Sequence, residues 1–581
     1  MSEARAPGAY PVRLLDRLLA RWLLRRMSAT TLTSQPEPRA VGQFARGKQM
    51  LAGNFLMAGE LVGSEGRVPF EAESLAALDT LHGFVWLDDL AAVGDAQARA
   101  LAQSGLEDWL KHYGPGRGPG WTPGLVGRRT IRWIVHAVFL MQGMAAAQQA
   151  RFLRALAQHA RFLELRARRA APGLPRIEAQ VGLLFATLAL EGFEGRVAQA
   201  SAGVLAAAES QIGKDGGIVT RNPEELLQVF ELLAWAAQAL ADHDRPINDR
   251  LGVLLDRVAG ALRVLRHADG GLARFHGGGR GAEGVLASAL GIHDALRGRR
   301  ARAPANEAMG FARLAAGRCT VIIDAAPPPL KAAPLQAHAA TLAFELTSNR
   351  RPVIVSCGDG RSFGPDWHRA SRATASHSTL AFEGYSSARF ARAQKAQAAL
   401  ADGPRSVGIE FRHAPHARAV ALSHDGYVQS HGLEHLRFLD LSADGRVLAG
   451  EDVLLAGSRA ERQRVDAVRA RLGEAGLRFA IRFHLHPEAD ASLDMNGTAV
   501  SISLRSGEIW VFRADGFTLE LAPSVYLEKG RLKPRPSLQI VLSSRVQDYT
   551  SRINWNLAKA QDVPIALRDL EIDEPLAWAD L

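Results

Sequence analysis

The chain has 581 residues, 47% of them hydrophobic and 22% charged, which describes soluble globular domains and excludes disordered or collagen-like classes. That length exceeds what a single hydrophobic core organises, so two or more domains are expected. The formal charge of +10 is mostly arginine and is spread over a large surface, so it reads as a compositional excess and not as a nucleic-acid footprint.

Two cysteines, Cys319 and Cys357, exclude both a disulfide framework and a CxxC-type zinc module. The first element, "PVRLLDRLLARWLLRRM" at 11–27, sets Arg13, Arg17, Arg21 and Arg25 at four-residue intervals among Leu14, Leu15, Leu18 and Trp22. This spacing predicts a basic amphipathic helix. Its arginines break the apolar centre that a cleavable signal peptide needs, so the segment is expected to be retained. It is expected to pack on its own protein, with peripheral membrane contact as the most it offers a bilayer.

From about residue 40 to 300 the apolar residues recur at three- and four-residue spacing, as in "TIRWIVHAVFLMQGM" and "EELLQVFELLAWAAQALADH". Glycine and proline clusters such as "YGPGRGPGWTPG" and "APGLPR" separate these segments. Paired helices stacked into an arc or toroid are expected. In "DGGIVTRNPEELL", Asn222 is a cap, Pro223 suits the first helical position, and Glu224 and Glu225 favour the positive end. Arg221 then stands as a cation where an acidic ligand can dock. The glycine-rich "HADGGLARFHGGGRG" lacks a strand–turn–helix setting and is not read as a phosphate loop.

A polar linker, "RGRRARAPANEAMG" at 297–310, precedes a change of period from 3.6 to 2. "TLAFELT", "RPVIVSC", "LRFAIRFHLH", "AVSISLR" and "EIWVFRA" read as strands with no long helix between them, which implies antiparallel sheets packed as a sandwich. The expected boundaries are 1–35 for the basic segment, 36–305 for the helical domain, 306–545 for the sandwich and 546–581 for a C-terminal extension. The class is a multidomain α+β chain.

Within "QAHAATLAFELTSNRRPVIVSCGDG" (336–360) a hairpin would bring His338 near Ser356, Cys357 and Asp359, and the strand in "ATASHSTLAFEG" begins at His377. His, Cys and carboxylate are zinc ligands; equally, Ser376 and His377 can satisfy backbone groups at a strand entrance. His484 and His486 share a strand face with Arg482 and read as a polar face. His424 and Tyr427 in "SHDGY" are either proton-handling groups or a hairpin turn. Arg129 in "GRRTIRW" either meets an acidic substrate or caps. Asp88 and Asp89 are adjacent and point apart, unlike an inverting hydrolase pair, which needs a gap of about 6.5–9.5 Å.

In order along the chain, "FVWLDDLAAV", "GWTPGLVGRRTIRWIVHA", "DGGIVTRNPEELL", "AHAATLAFELTSNRRPVIVSCGDG", "RATASHSTLAFEG", "SHDGYV", "IRFHLHPEADAS" and "GEIWVFRA" resemble the heparinase II/III family of polysaccharide lyases. The resemblance implies an N-terminal incomplete (α/α) toroid followed by a C-terminal antiparallel β-sandwich. It also implies β-elimination of a uronate-containing polysaccharide in a cleft between the two, and a cell-envelope or periplasmic location. Zinc is the one cofactor it implies, with His338 and His377 on two ligand positions and Ser356, flanked by Cys357 and Asp359, where the family has aspartate. The family's Asn-His pair falls on Leu174 and Pro175, and its tyrosine falls on Glu225. Proton transfer would then rest on His338, His377, His424 and Tyr427, and carboxylate neutralisation on Arg129 and Arg221. The alternative is a non-catalytic glycan-binding or envelope-assembly protein on the same scaffold.

Overall fold

Helical periodicity in the first half becomes thirteen helices in the computed structural model, which describes residues 12–298, 306–391, 399–414, 416–517 and 519–561. They are α1 (Leu14–Arg26), α2 (Phe44–Leu51), α3 (Leu75–His82), α4 (Trp86–Val93), α5 (Ala96–His112), α6 (Pro123–Val135) and α7 (Ala137–Met141). The rest are α8 (Ala146–Arg166), α9 (Leu174–Ala189), α10 (Val197–Glu209), α11 (Pro223–Asp242), α12 (Asp249–Leu265) and α13 (Val285–Arg297). One hairpin, β1 (Asn54–Met57) with β2 (Glu60–Gly63), interrupts them. Start signals are local: Asp95 accepts from Ala98 N at α5, and Thr122 accepts from Leu125 N at α6 with Pro123 behind it.

Helices α6 and α9 pack backbone to backbone. A Cβ on Gly127 would stand 2.2 Å from Glu178 O, and one on Gly182 would stand 2.5 Å from the Gly127 Cα. Both positions therefore require glycine. At the same interface a Cβ on Gly124 would lie 2.9 Å from Pro175, so the N-terminal turns of the two helices are held side by side.

The strands of the second half are all paired antiparallel and form two large sheets. One runs β11 (Val407–Ala414), β12 (Ala417–His424), β13 (Glu434–Ser442), β14 (Val447–Leu455), β21 (Thr550–Gln561), β18 (Ile509–Ala514), β17 (Ala499–Leu504) and β16 (Ala489–Asp494). The other runs β19 (Leu519–Tyr526), β20 (Arg535–Arg545), β15 (Arg478–Leu485), β7 (Arg351–Val355), β6 (Phe344–Ser348), β5 (Cys319–Asp324), β4 (Phe311–Ala316) and β3 (Glu307–Ala308), with β8 (Leu380–Phe382) also on β15. A small pair, β9 (Arg389–Phe390) and β10 (Leu400–Asp402), lies apart. Phe344 and Phe483 from one sheet stack with Trp555 and Phe512 from the other, at centroid distances of 4.8–5.9 Å. This aromatic cluster is the centre of a β-sandwich core.

Sequence and structure part company at several places. A 14-residue helix, α16 (Arg459–Leu472), follows two short ones, α14 (Pro365–Ala370) and α15 (Val428–His431), inside the region expected to lack long helices. Its Ser458–Glu461 capping box and arginine-rich face let it form on the outside of the sandwich, where only Val465 and Val468 are buried. Leu342 has φ +64, so the chain turns there and β6 starts at Phe344. Residues 550–561, expected in a C-terminal extension, are β21, paired to β14 on one side and β18 on the other; residues 562–581 lie outside the described ones, as do 1–11 and 299–305 of the basic segment and linker. By compactness the sandwich unit also takes in Gly217–Glu224 and Gly260–Gly281, two segments from the helical part of the chain.

Candidate functional site

The loop after β5 and the turn before β8 bring His338 and His377 together, with Nδ1 of one 3.3 Å from Nε2 of the other. Both rings are buried. Burial, then the neighbouring His377 and His276, holds His338 well below the ordinary histidine value; burial, then His484, lowers His377 to about 3. They form a neutral pair in which one N–H donates to the other ring. His276 accepts from the His338 backbone N at 3.2 Å and lies 3.3 Å from Asp324. Burial pushes Asp324 up, but Arg221 and His276 outweigh it and hold the carboxyl at about 2.

The third expected ligand is not there. Cys357 Sγ lies 3.5 Å from His484 Nδ1 and 3.9 Å from Ser524 Oγ, and burial pushes its thiol up to about 11. Asp359 is bound by the Arg361 guanidinium at 3.1 Å. Ser356, one residue before Cys357, whose N donates to Ser376 O, offers only a buried hydroxyl. Among the described residues no three His, Cys, Asp or Glu side chains group as a metal site requires. Two imidazoles without a third histidine, thiol or carboxylate fall short of the three or four protein ligands that zinc takes, so these side chains do not fit zinc.

The other sequence candidates are built into the interior. Arg221, at φ +53, gives its donors to the carbonyls of Met309, Gly310, Ala326 and Pro327 and to Asp324 at 2.5 Å. Its work is to pin a loop, not to wait for a ligand. Arg129 is wholly buried, donates to His82 O and Gly120 O, and lies 4.0 Å over the Trp109 ring with Trp121 and Trp133 beyond. Burial lowers its affinity for a proton, and the tryptophan faces are what keep the charge tolerable there. Tyr427 has no exposed surface, donates to Leu380 O at 3.0 Å, and is pushed up by burial.

His424 lies 3.3 Å from His435, which bonds Asp452 at 2.7 Å; Arg437 and Trp555 Nε1 complete that carboxylate's partners. His484 and His486, read as a polar face, are both buried, the first between Ser524 Oγ and Ala375 O. Asp88 is paired to Arg132 and His136, each at 2.9 Å, and Asp89 accepts from Gln43 N. These polar groups hold strands and helices together.

What the sequence reading missed is a groove of about 600 Å³ within the helical unit, lined by α1, α3, α6, the 169–172 turn and α9. Arg13, Arg17, Arg169 and Arg176 stand on it with no carboxylate paired to them among the described residues. Its acids are largely spent: Asp16 is 2.5 Å from Arg166, and Glu178 is 2.6 Å from Arg128. The adjoining N-termini of α6 and α9 add the positive ends of two helix dipoles. Asp79 is the exception, raised by burial, against the pull of Arg128, to about 6. Pro175, one of the two positions onto which the sequence resemblance lays an Asn-His pair, lines this groove. The signal was present in "RARRAAPGLPR", whose arginines were passed over while its glycine and prolines were read as a helix break.

A family model described as heparinase II/III-like, C-terminal, matches residues 298–556. FtsZ-localized protein C of Caulobacter vibrioides is 31% identical over 541 residues, spanning 91% of this chain and 90% of that protein. The chain belongs to the heparinase II/III-like family. Family folds among solved structures agree: heparinase III superposes with a TM-score of 0.66 at 13% identity, covering 93% of this chain and 88% of that one. A mutant heparan sulfate lyase from Pedobacter heparinus gives 0.59 at 14% identity, covering 94% and 88%. These structures share the toroid-plus-sandwich fold of the family.

Proposed function

We propose that the protein binds an acidic, uronate-containing polysaccharide in the arginine-rimmed groove of its helical unit. The observation that carries this is the set of four guanidiniums without carboxylate partners around two converging helix N-termini. Repeated carboxylates along a polyuronate match such a row of cations, and arginine binds carboxylate bidentately. The solved relatives bear the names of glycosaminoglycan lyases, which act on polymers of this kind. The name of the Caulobacter relative speaks of localisation with FtsZ; carried to this chain, it supports a binding role where FtsZ gathers.

Lyase turnover is the second reading, favoured by Asp79. A groove carboxyl raised to about 6 exchanges protons near neutrality, as removal of an acidic ring proton requires. Tyr427, His424, Arg129 and Arg221 take no part in it, being enclosed by their own hydrogen bonds.

The test is retention on immobilised polyuronate against neutral dextran, with near-ultraviolet absorbance followed in the same samples. Salt-sensitive retention on polyuronate alone, lost in Arg169→Glu/Arg176→Glu, supports binding. Equal retention of that variant and the wild type refutes the groove. Absorbance that rises and is abolished by Asp79→Asn establishes turnover; a flat trace with retention intact leaves a binding protein without chemistry.

A further inference from the structure

Helix α1 is fixed to the helical unit by one face. Asp16, Ala20 and Leu23 are buried, Arg166 holds Asp16 at 2.5 Å, Gln158 donates to Ala20 O, and Arg154 donates to Met27 O. The opposite face is apolar too, and nothing among the described residues covers it. Leu14 is 70% exposed, Leu15 66%, and Leu18 and Trp22 52% each. At positions i, i+1, i+4 and i+8 these four form one continuous stripe along the helix. Single exposed leucines are ordinary, but a stripe of four large residues marks a contact surface.

Its borders say what it contacts. At 100° per residue, Arg17 and Arg21 fall on one margin, Arg26 on the other, and Arg25 between Leu14 and Leu18. The Arg26 guanidinium lies 5.7 Å over the Trp22 ring. Arg13, Arg17, Arg21, Arg25 and Arg26 are all exposed with no carboxylate partner among the described residues, and the single acid of the helix is turned inward. Two copies of this face would set five arginines against five, which disfavours self-association. Thirteen residues span only about 20 Å, and no described helix is long and apolar enough to cross a membrane.

We propose that α1 docks flat on an anionic lipid bilayer, with Leu14, Leu15, Leu18 and Trp22 entering the headgroup–acyl boundary and the flanking arginines meeting lipid phosphates. Arginine stems are long enough to hold the guanidiniums at phosphate level while the leucines and tryptophan go deeper. Because α1 is already folded and anchored, binding requires no ordering of the segment. The polysaccharide groove lies to the side of this stripe and shares only Arg13 and Arg17 with its surroundings.

The full chain is sedimented with vesicles of phosphatidylcholine alone and with a third of phosphatidylglycerol added. The expected result is salt-sensitive co-sedimentation with the anionic vesicles only, reduced at least tenfold by Leu18→Glu/Trp22→Glu. Neither side chain belongs to the buried face of the helix, so the thermal transition is expected to be unchanged in that variant, and retention on polyuronate persists because Arg13 and Arg17 remain. Arg21→Glu/Arg25→Glu, also outside the groove, reduces vesicle binding likewise. Wild-type protein that stays in the supernatant overturns the proposal. So does a double variant that sediments like the wild type, or a concentration-dependent dimer that Leu18→Glu/Trp22→Glu dissolves.

Discussion

Lowering the pH should loosen the sandwich through its buried histidines, and His377 allows the effect of one of them to be isolated. In the folded protein burial holds this ring at about 3, against an ordinary value of 6.5 for the unfolded chain. Below pH 6.5 the unfolded chain takes up a proton that the folded ring refuses, so the stability contributed by the neutral ring is whole above 6.5 and is lost as the pH falls toward 3. Between pH 7 and pH 5 the loss for this one ring is about 2 kcal/mol, at ~1.4 kcal/mol per pH unit once titration begins. For a domain of this size that corresponds to about 4–8 °C in the melting temperature. The assay is calorimetry of wild type and His377→Gln from pH 7 to pH 5 in a buffer with chelator, following the transition of the sandwich. The wild-type curve should fall about 4–8 °C further than that of the variant, whose amide does not titrate. Parallel curves would falsify the neutral-pair reading.

Three further outcomes follow from the packing. Asp452→Ala leaves Arg437, His435 and Trp555 Nε1 without their acceptor and should destabilise by about 3–5 kcal/mol, seen as a lower melting temperature of the sandwich, with Asp452→Asn milder. Gly127→Leu drives a side chain into the α9 backbone and should abolish or strongly lower the helical unit's transition, whereas Gly291→Ala, at an exposed helical position of α13 with open space around it, should shift it by no more than about 1 kcal/mol. Added zinc and added chelator should leave the wild-type melting temperature alone, because a site-specific ligand must stabilise by mass action; a dose-dependent rise with zinc would reinstate the metal site.

The architecture was legible because it rests on periodicity. Apolar spacing in "TIRWIVHAVFLM" could only be helical, and alternation in "RFAIRFHL" could only be a strand. The His338–His377 encounter was also readable, since the β6–β7 hairpin places the two segments at one end of a sheet. The roles of individual polar residues were not. Whether an arginine faces solvent, a carboxylate or a ring of tryptophans depends on partners distant in sequence, such as Asp324 for Arg221, 103 residues away, and Trp109 for Arg129. Polar residues at helix starts and strand ends look alike as letters whether they bind a ligand or a backbone carbonyl. The groove escaped notice for the complementary reason. Its cations come from separate short segments, each unremarkable alone and meeting only when α1 lies beside the start of α9.

Strand β21 is the last described element of the chain, yet it occupies the interior of the eight-stranded sheet between β14 and β18. On the ribosome, therefore, β11–β14 and β16–β18 emerge first as two half-sheets, each with an open hydrogen-bonding edge, until residues 550–561 follow. Closure of the sandwich waits for that strand, and the interval before it is when the nascent chain is most exposed to edge-to-edge association and most in need of a chaperone. A chain ending before residue 550 would not be a sandwich lacking a tail; it would be two adhesive fragments of one.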